Sequence, residues 1–289
     1  MENYKDFNYC KKLVSEFKQS CLDGDLKKLE TFDFCLFYRN KDNKYGLVNR
    51  PKYPEFIWKY DPDDSELAKA IYVLIWGNDN NGEYKLPDCS FENIGTGLKY
   101  RGDTLNTFNT LFDKNIWWTN ETNEEIEVKD KEFADLVNGF KKIYLTIGNF
   151  SILPNKIPKG KKDSLNCYRG KVFRDYYDLF LDEFRKCFPE SKGKTKKEYL
   201  QTLYDENKFY FDEINTFEKF VNRNFLRGYF KDGDTRKLNV IFEKKLAYWG
   251  STSVDSYKEF AKLYIETVTP IIKNRSKEMI KILEKTLQD

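Results

Sequence analysis

The chain has 289 residues, room for one large domain or two smaller ones, and its 17% aromatic content means a core built on large rings rather than on staples. Lys and Arg total 50 against 47 Asp and Glu, without the strong basic excess of a chain organised around nucleic acid, although charge can still gather locally. With no histidine in the chain, His-based zinc sites, Ser-His and Cys-His couples and imidazole bases are excluded, while carboxylate, lysine, tyrosine and carboxylate-held Mg²⁺ chemistry stays open.

In chain order, residues 3–21 place Tyr4, Phe7, Cys10, Leu13, Val14, Phe17 and Cys21 at three-to-four spacing, which predicts a helix ending at Asp23-Gly24-Asp25. FDFCLFY at 32–38 reads as a strand, 40–54 mostly as loop, and EFIWKY at 55–60 as a second short strand. Asp63 with Glu66 resembles a capping box before a helix at about 64–76, whose buried stripe is Leu67, Ala70, Ile71, Leu74 and Ile75. In YRGDTLNTFNTLF, residues 100–112, Asp103 reads as the N-cap of a helix carrying Leu105, Phe108, Leu111 and Phe112. The acidic run that follows Trp117 and Trp118 reads as a solvated loop.

Further helices are predicted over 130–145, 170–188, 196–206, 209–230 and 235–249, followed by a long one over 256–287. Pro270 should kink that last helix, with Thr267 placed to help satisfy the carbonyl that the proline frees. No internal repeat is present. The expected architecture is mainly α, about eight or nine helices around one aromatic-rich core with a small N-terminal β element. It forms a single domain over 1–289, or divides into 1–188 and 196–289 at the Lys-rich linker. The six cysteines include no C-x-x-C pair and sit mostly among apolar residues, as buried free thiols do. No N-terminal apolar run follows Met1 and no stretch approaches the ~18 apolar residues of a membrane span, so a cytoplasmic location without membrane contact is expected.

Two segments invite a functional reading. A helix starting at Asp103 would offer free N–H groups to an anion, with Arg101 as a bidentate partner and Asn106 in the first turns. Between Ile143 and Leu181, Gly148-Asn149 suits a tight turn with positive φ at the glycine, and Asn155 and Asn166 suit Asx turns. Arg169-Gly170 stands at the start of the predicted helix 170–188. Two Arg-Gly pairs at two helix starts suggest one shared anion site, which requires the Arg101 and Arg169 guanidinium groups within about 10 Å of each other. The candidate binding residues are thus Arg101, Asp103, Asn106 and Asn149, together with Asn155, Asn166 and Arg169. The plainer alternative is that these residues cap helices and close a packed loop.

Asp175, Asp178, Asp182 and Glu183 could share a helix face and hold Mg²⁺, or pair with Arg174, Arg185 and Lys186 as a salt-bridged surface. The salt-bridged surface is preferred, so neither a metal site nor catalytic residues are assigned, and no cofactor is expected. Walker A, GxGxxG and GxSxG patterns are absent. SKGKTKK at 191–197, near Tyr199 and Tyr204, could meet a phosphate backbone or an acidic partner, or serve as a solvated linker.

The blocks at 100–112 and 143–181 resemble an uncharacterised family of bacterial and phage proteins that carries GDT-N-F and IGN-F-LP-N blocks in this order. No activity comes with that family. IGNFSILPN is also similar to the I/LGNLTLL-then-Asn segment of GmrSD-type restriction enzymes, which resemble His-Asn-His nucleases. Here no histidine can fill their metal-binding or base positions, so that resemblance implies a degenerate element kept as structure or for nucleic-acid binding. Only Gly148, Asn149 and Asn155 carry over, none as catalytic. The resulting expectation is a non-enzymatic cytoplasmic interaction protein with a protein partner, which the first resemblance places in phage–host conflict. The alternatives are an enzyme or nucleotide or phosphate-ligand binder using Arg101 and Arg169, and nucleic-acid binding by the degenerate element. The oligomeric state has no signature in the sequence.

Overall fold

The computed structural model describes residues 7–34, 37–39, 45–47, 66–76, 100–106, 131–154, 176–191, 198–239 and 254–288. Helix α1 (Phe7–Cys21) buries Cys10, Leu13, Val14 and Phe17, the stripe that its spacing dictates. It ends where Asp23 and Gly24 adopt positive φ and the Gly24 N–H reaches back to Lys18 O at 3.0 Å. A 3-10 turn over Leu26–Glu30 follows, capped by Asp25 Oδ1, which accepts from Lys27 N.

Strand β1 (Phe37–Arg39) pairs antiparallel with β2 (Tyr45–Leu47), giving the expected small N-terminal β element. Its second strand comes from the stretch read as loop, because three residues are too few to show a period of two. Residues 55–60 lie outside the described residues.

Helix α2 (Glu66–Trp76) is buried from Leu67 through Trp76, with Lys69 the one charged residue in that run, and so runs through the core rather than over it. Strand β3 (Tyr100–Thr104) then pairs antiparallel with a strand almost fifty residues later, β4 (Phe150–Pro154), reached through α3 (Lys131–Ile143) and a 3-10 turn over Ile147–Asn149. Asp103 lies inside β3, opposite Ser151, so it caps no helix. The local sequence supports either structure, and the long-range ladder decides between them.

Helix α4 (Tyr177–Phe184) begins after an extended Tyr176, so Arg169-Gly170 does not stand at its start. Helices α5 (Glu198–Glu206), α6 (Lys208–Ile214) and α7 (Phe217–Arg223) follow. The single helix predicted for 209–230 breaks between α6 and α7. Asn215 takes a left-handed conformation there, and Thr216 Oγ1 accepts from Lys219 N at 3.1 Å to start the new helix. No helix begins at 235, since Asp234 takes the Arg236 N–H on its side chain and the Lys237 N–H on its carbonyl, while Phe230 bridges Leu238. The rest of that predicted helix, from 240, lies outside the described residues.

Helix α8 (Val254–Gln288) runs 35 residues, about 50 Å, continuous through Pro270. Thr267 Oγ1 donates to Leu263 O at 2.7 Å, its own preceding turn, and so does not serve the carbonyl that the proline frees. The described residues thus hold eight α-helices, and the protein is mainly α.

Helix α8 is the spine of the fold. It packs against α2, α3 and the 3-10 turns at 26–30 and 147–149. Its N-terminal half, through Ala261, Tyr264, Ile265, Val268 and Ile272, meets Val137, Phe140 and Ile143 of α3. Ile271, Met279, Ile280 and Leu283 enter the main core. There, rings replace smaller residues: Phe184 lies 5.0 Å from Phe180 and 4.8 Å from Phe220, and Phe188 touches Phe211 and Phe217. Each such buried ring contributes roughly 1.5–3 kcal/mol of transfer free energy. Among the described residues no helix is long and apolar enough to cross a membrane.

Candidate functional site

Two of the predicted site residues meet inside the protein. Asn149 ends the 3-10 turn before β4, and Asn106 follows β3, so the β3–β4 ladder brings the two side by side. Asn149 Oδ1 accepts from the backbone N–H of Asn106 at 3.0 Å and from its Nδ2 at 3.1 Å. Asn149 Nδ2 in turn donates to Asn106 O at 2.8 Å and Tyr144 O at 2.7 Å. The remaining acceptor, Asn106 Oδ1, receives the hydroxyls of Tyr229 at 3.0 Å and Tyr264 at 3.4 Å. Both asparagines are buried, and their amides act as an internal splint for backbone that has left regular structure.

Beside this pair lies Arg275 of α8, only 2% exposed. Its guanidinium donates to Gly148 O, to Phe150 O at 2.9 Å, and through Nε and Nη2 to Asn224 O at 3.2 and 3.1 Å. Burial pushes its pKa down to about 10, and burial pushes the Tyr229 hydroxyl up. Gly148 is needed for close approach and not for positive φ, which it does not adopt. A Cβ there would lie 2.8 Å from Ser276 N and closer still to Ile272 O and Ser276 Oγ of α8.

The other candidates are placed differently. Arg101 and Asp103 sit two residues apart on β3, opposite Leu153 and Ser151. Asn155, Asn166 and Arg169 lie outside the described residues, and with them the proposed Arg101–Arg169 cleft. Asp178 is buried, whereas Asp182 pairs with Arg185 at 2.6 Å and Glu183 with Lys186 at 2.9 Å, so these three carboxylates do not form one metal-facing set. Among the described residues no group of His, Cys, Asp or Glu could hold a metal ion. Cys10, Cys21 and Cys187 are free thiols, the first and last buried; the other three cysteines lie outside the described residues.

The sequence reading missed a cleft of about 680 Å³ between the end of α4, the 3-10 turn at 189–191, the start of α7 and the turns at 227 and 234–236. Arg185, Arg227 and Arg236 line it with Glu190, Glu218 and Asp234, and with the hydroxyls of Ser191, Thr216 and Thr235. Its walls are bolted together. Phe217 N donates to Glu190 Oε1 at 2.6 Å, and Ser191 Oγ to Arg185 O at 2.8 Å. Arg227 spreads its fork over Glu218 at 2.6 Å, Asn222 at 2.7 Å and Gly233 O at 2.7 Å. Arg236 grips Asp234 through two bonds of 2.9 and 3.0 Å, which hold the Asp234 carboxyl well below the usual carboxylate range. Arg185 Nε is buried with no hydrogen-bond partner among the described residues.

These residues come from five separate segments and make no motif. The legible trace was the Asn215-Thr216 break, which turns the start of α7 toward the cleft, and the Asp-Gly-Asp-Thr turn at 232–235.

No curated protein and no solved structure matches the chain. Residues 60–279 match the model of a family described as a family of unknown function (DUF6994). That match takes in the β3–β4 ladder, the Asn106–Asn149 splint, the cleft and most of the α8 spine, and covers well over half of the chain: the protein belongs to this family.

Proposed function

We propose that this protein is a non-enzymatic binding protein that receives a charged segment of a protein partner in the cleft between α4, α7 and the 234–236 turn. The observation that supports this reading is the cleft itself. It has about 680 Å³ of space, a lining of opposite charges from separate segments, and walls fixed by the Glu190–Phe217 and Ser191–Arg185 bonds before anything binds. A prefixed polar cleft needs little ordering on association, which favours binding. The asparagines that looked most like site residues are engaged with each other and with backbone, so Asn106 and Asn149 serve the fold. A role in phage–host conflict is part of the proposal and rests on the resemblance of the 100–112 and 143–181 blocks.

A thermal-shift screen of the full chain against charged peptides, nucleotides and short nucleic acids tests the reading, because a native-state ligand raises apparent stability. The expected result is stabilisation by a peptide, lost in Arg227→Ala. Stabilisation by nucleic acid that falls steeply with salt would instead favour the phosphate-backbone alternative. A peptide response untouched by Arg227→Ala would place binding outside the cleft and overturn the assignment.

A further inference from the structure

We infer that the cleft contains an oxyanion subsite, built by Arg185, Arg236 and the Thr216 and Thr235 hydroxyls, that takes a carboxylate or phosphate group of whatever enters; this rests on the cleft's being the binding site. The lining is balanced in charge, so net charge does not decide the ligand. Hydrogen-bonding capacity does. Each lining carboxylate already has a donor: Glu190 takes Phe217 N, Glu218 takes Arg227 and Asp234 takes Arg236. The donors are not used up in the same way.

Arg236 engages Nε and Nη2 with Asp234, leaving the other edge of its fork facing outward on a side chain that is 87% exposed. Arg185 gives Nη2 to Asp182, while its Nε–H stays buried at the cleft wall without a partner among the described residues. Thr216 accepts from Lys219 N, so its hydroxyl proton remains to be donated. A cleft whose carboxylates are each already engaged, and whose arginines and threonine still have hydrogens to give, can take a ligand made of acceptors. An oxyanion is the smallest such group, and the planar forks of two arginines match its geometry.

Titration calorimetry of the full chain with inorganic phosphate and, separately, with acetate at constant ionic strength tests this. Binding of one or both anions is expected, weakened about tenfold by Arg185→Gln and by Arg236→Gln, and unchanged by Lys281→Gln on the exposed side of α8. Phosphate alone would identify a phosphoester as the group recognised, and acetate alone a carboxylate side chain or terminus. Arg236 is largely exposed and its replacement does not threaten the fold, so a null effect there is interpretable even if the Arg185 variant is unstable. Equal binding by the wild type and the Arg236 variant would overturn the subsite. Absence of binding by both anions, with a peptide still stabilising the chain through Arg227, would remove the oxyanion assignment and leave the broader reading standing.

Discussion

Arg275→Met replaces a buried fork with a side chain of similar length and no donors. Three carbonyls, those of Gly148, Phe150 and Asn224, then lose their partner in the core. A buried acceptor left unsatisfied costs about 1–3 kcal/mol, so the three together cost roughly 3–9 kcal/mol. Against this, the variant no longer buries a cation. The fall of the Arg275 pKa from 12.5 to about 10 corresponds to roughly 3 kcal/mol of desolvation relieved. The net expectation is a loss of about 3 kcal/mol, a large part of the ~5–15 kcal/mol that holds a protein folded. Urea unfolding reads it as a shift in midpoint at constant m.

Arg275→Lys separates the two terms. It keeps the cation in the core but offers a point charge where a fork had reached three carbonyls, so it should cost as much as the methionine or more. A methionine loss below about 1 kcal/mol, or a lysine variant as stable as the wild type, would refute the reasoning that the fork satisfies backbone that nothing else can reach.

Three further outcomes follow from the same contacts. Gly148→Ala drives a methyl into the backbone of α8 and should cost about 1–3 kcal/mol, whereas Gly139→Ala, exposed in α3 with nothing near its Cβ, should stabilise by roughly 0.5–1 kcal/mol; melting temperatures of the pair check the sign of each. Asn149→Asp keeps the acceptor for Asn106 but turns a carboxylate on Asn106 O and Tyr144 O, so a loss of about 3 kcal/mol or more is expected in urea unfolding, and a neutral result would show that the splint carries no load. Burial holds the Tyr229 hydroxyl protonated above its ordinary value of 10.0, so its contribution is intact below pH 10 and is lost as pH rises beyond it, while Arg275, with a lowered pKa, works in the opposite direction over the same range. The stability advantage of the wild type over Tyr229→Phe should therefore shrink between pH 9 and pH 11 in urea titrations, and a constant difference would contradict it.

Legibility followed the range of the interactions. The core face of α1 was readable, because apolar spacing along one helix is a local signal and Cys10, Leu13, Val14 and Phe17 are buried as it predicts, while the stripe read for α2 is buried together with the rest of that helix. The β3–β4 ladder was not, since its stabilisation comes from residues almost fifty positions away, and Arg101-Gly102-Asp103 viewed alone suits a helix start equally well. Gly148 was recognised as special for the wrong reason: a turn glycine and a close-approach glycine look alike until the helix that crosses it is in place. Asn106 and Asn149 show the same ambiguity in chemical form. An amide that binds a ligand and one that satisfies irregular backbone need the same donor and acceptor, and only the location of their partners separates them. The cleft left almost no trace, because arginines that are neighbours in space are spread from 185 to 236 in sequence.

The splint and the cleft share one segment of chain. Between α7 and the bridge at Phe230, one stretch serves both: Asn224 O receives Arg275, Gly228 lies against Ile271 and Tyr229 reaches Asn106, while Arg227 lines the cleft. Arg223 and Trp76 fix the end of α7 by exchanging bonds, Arg223 Nη2 to Trp76 O at 3.1 Å and Trp76 Nε1 to Arg223 O at 2.8 Å. The wall that carries Arg227 is therefore held from behind by buried polar groups, Arg275, Asn224 and Asn106. Fixing it in that way moves the entropy of ordering the wall into folding, so a ligand of the proposed cleft would meet a guanidinium already held in place. On the proposed reading, the buried asparagines and Arg275 would support binding without touching what is bound, by setting the backbone from which the cleft residues project.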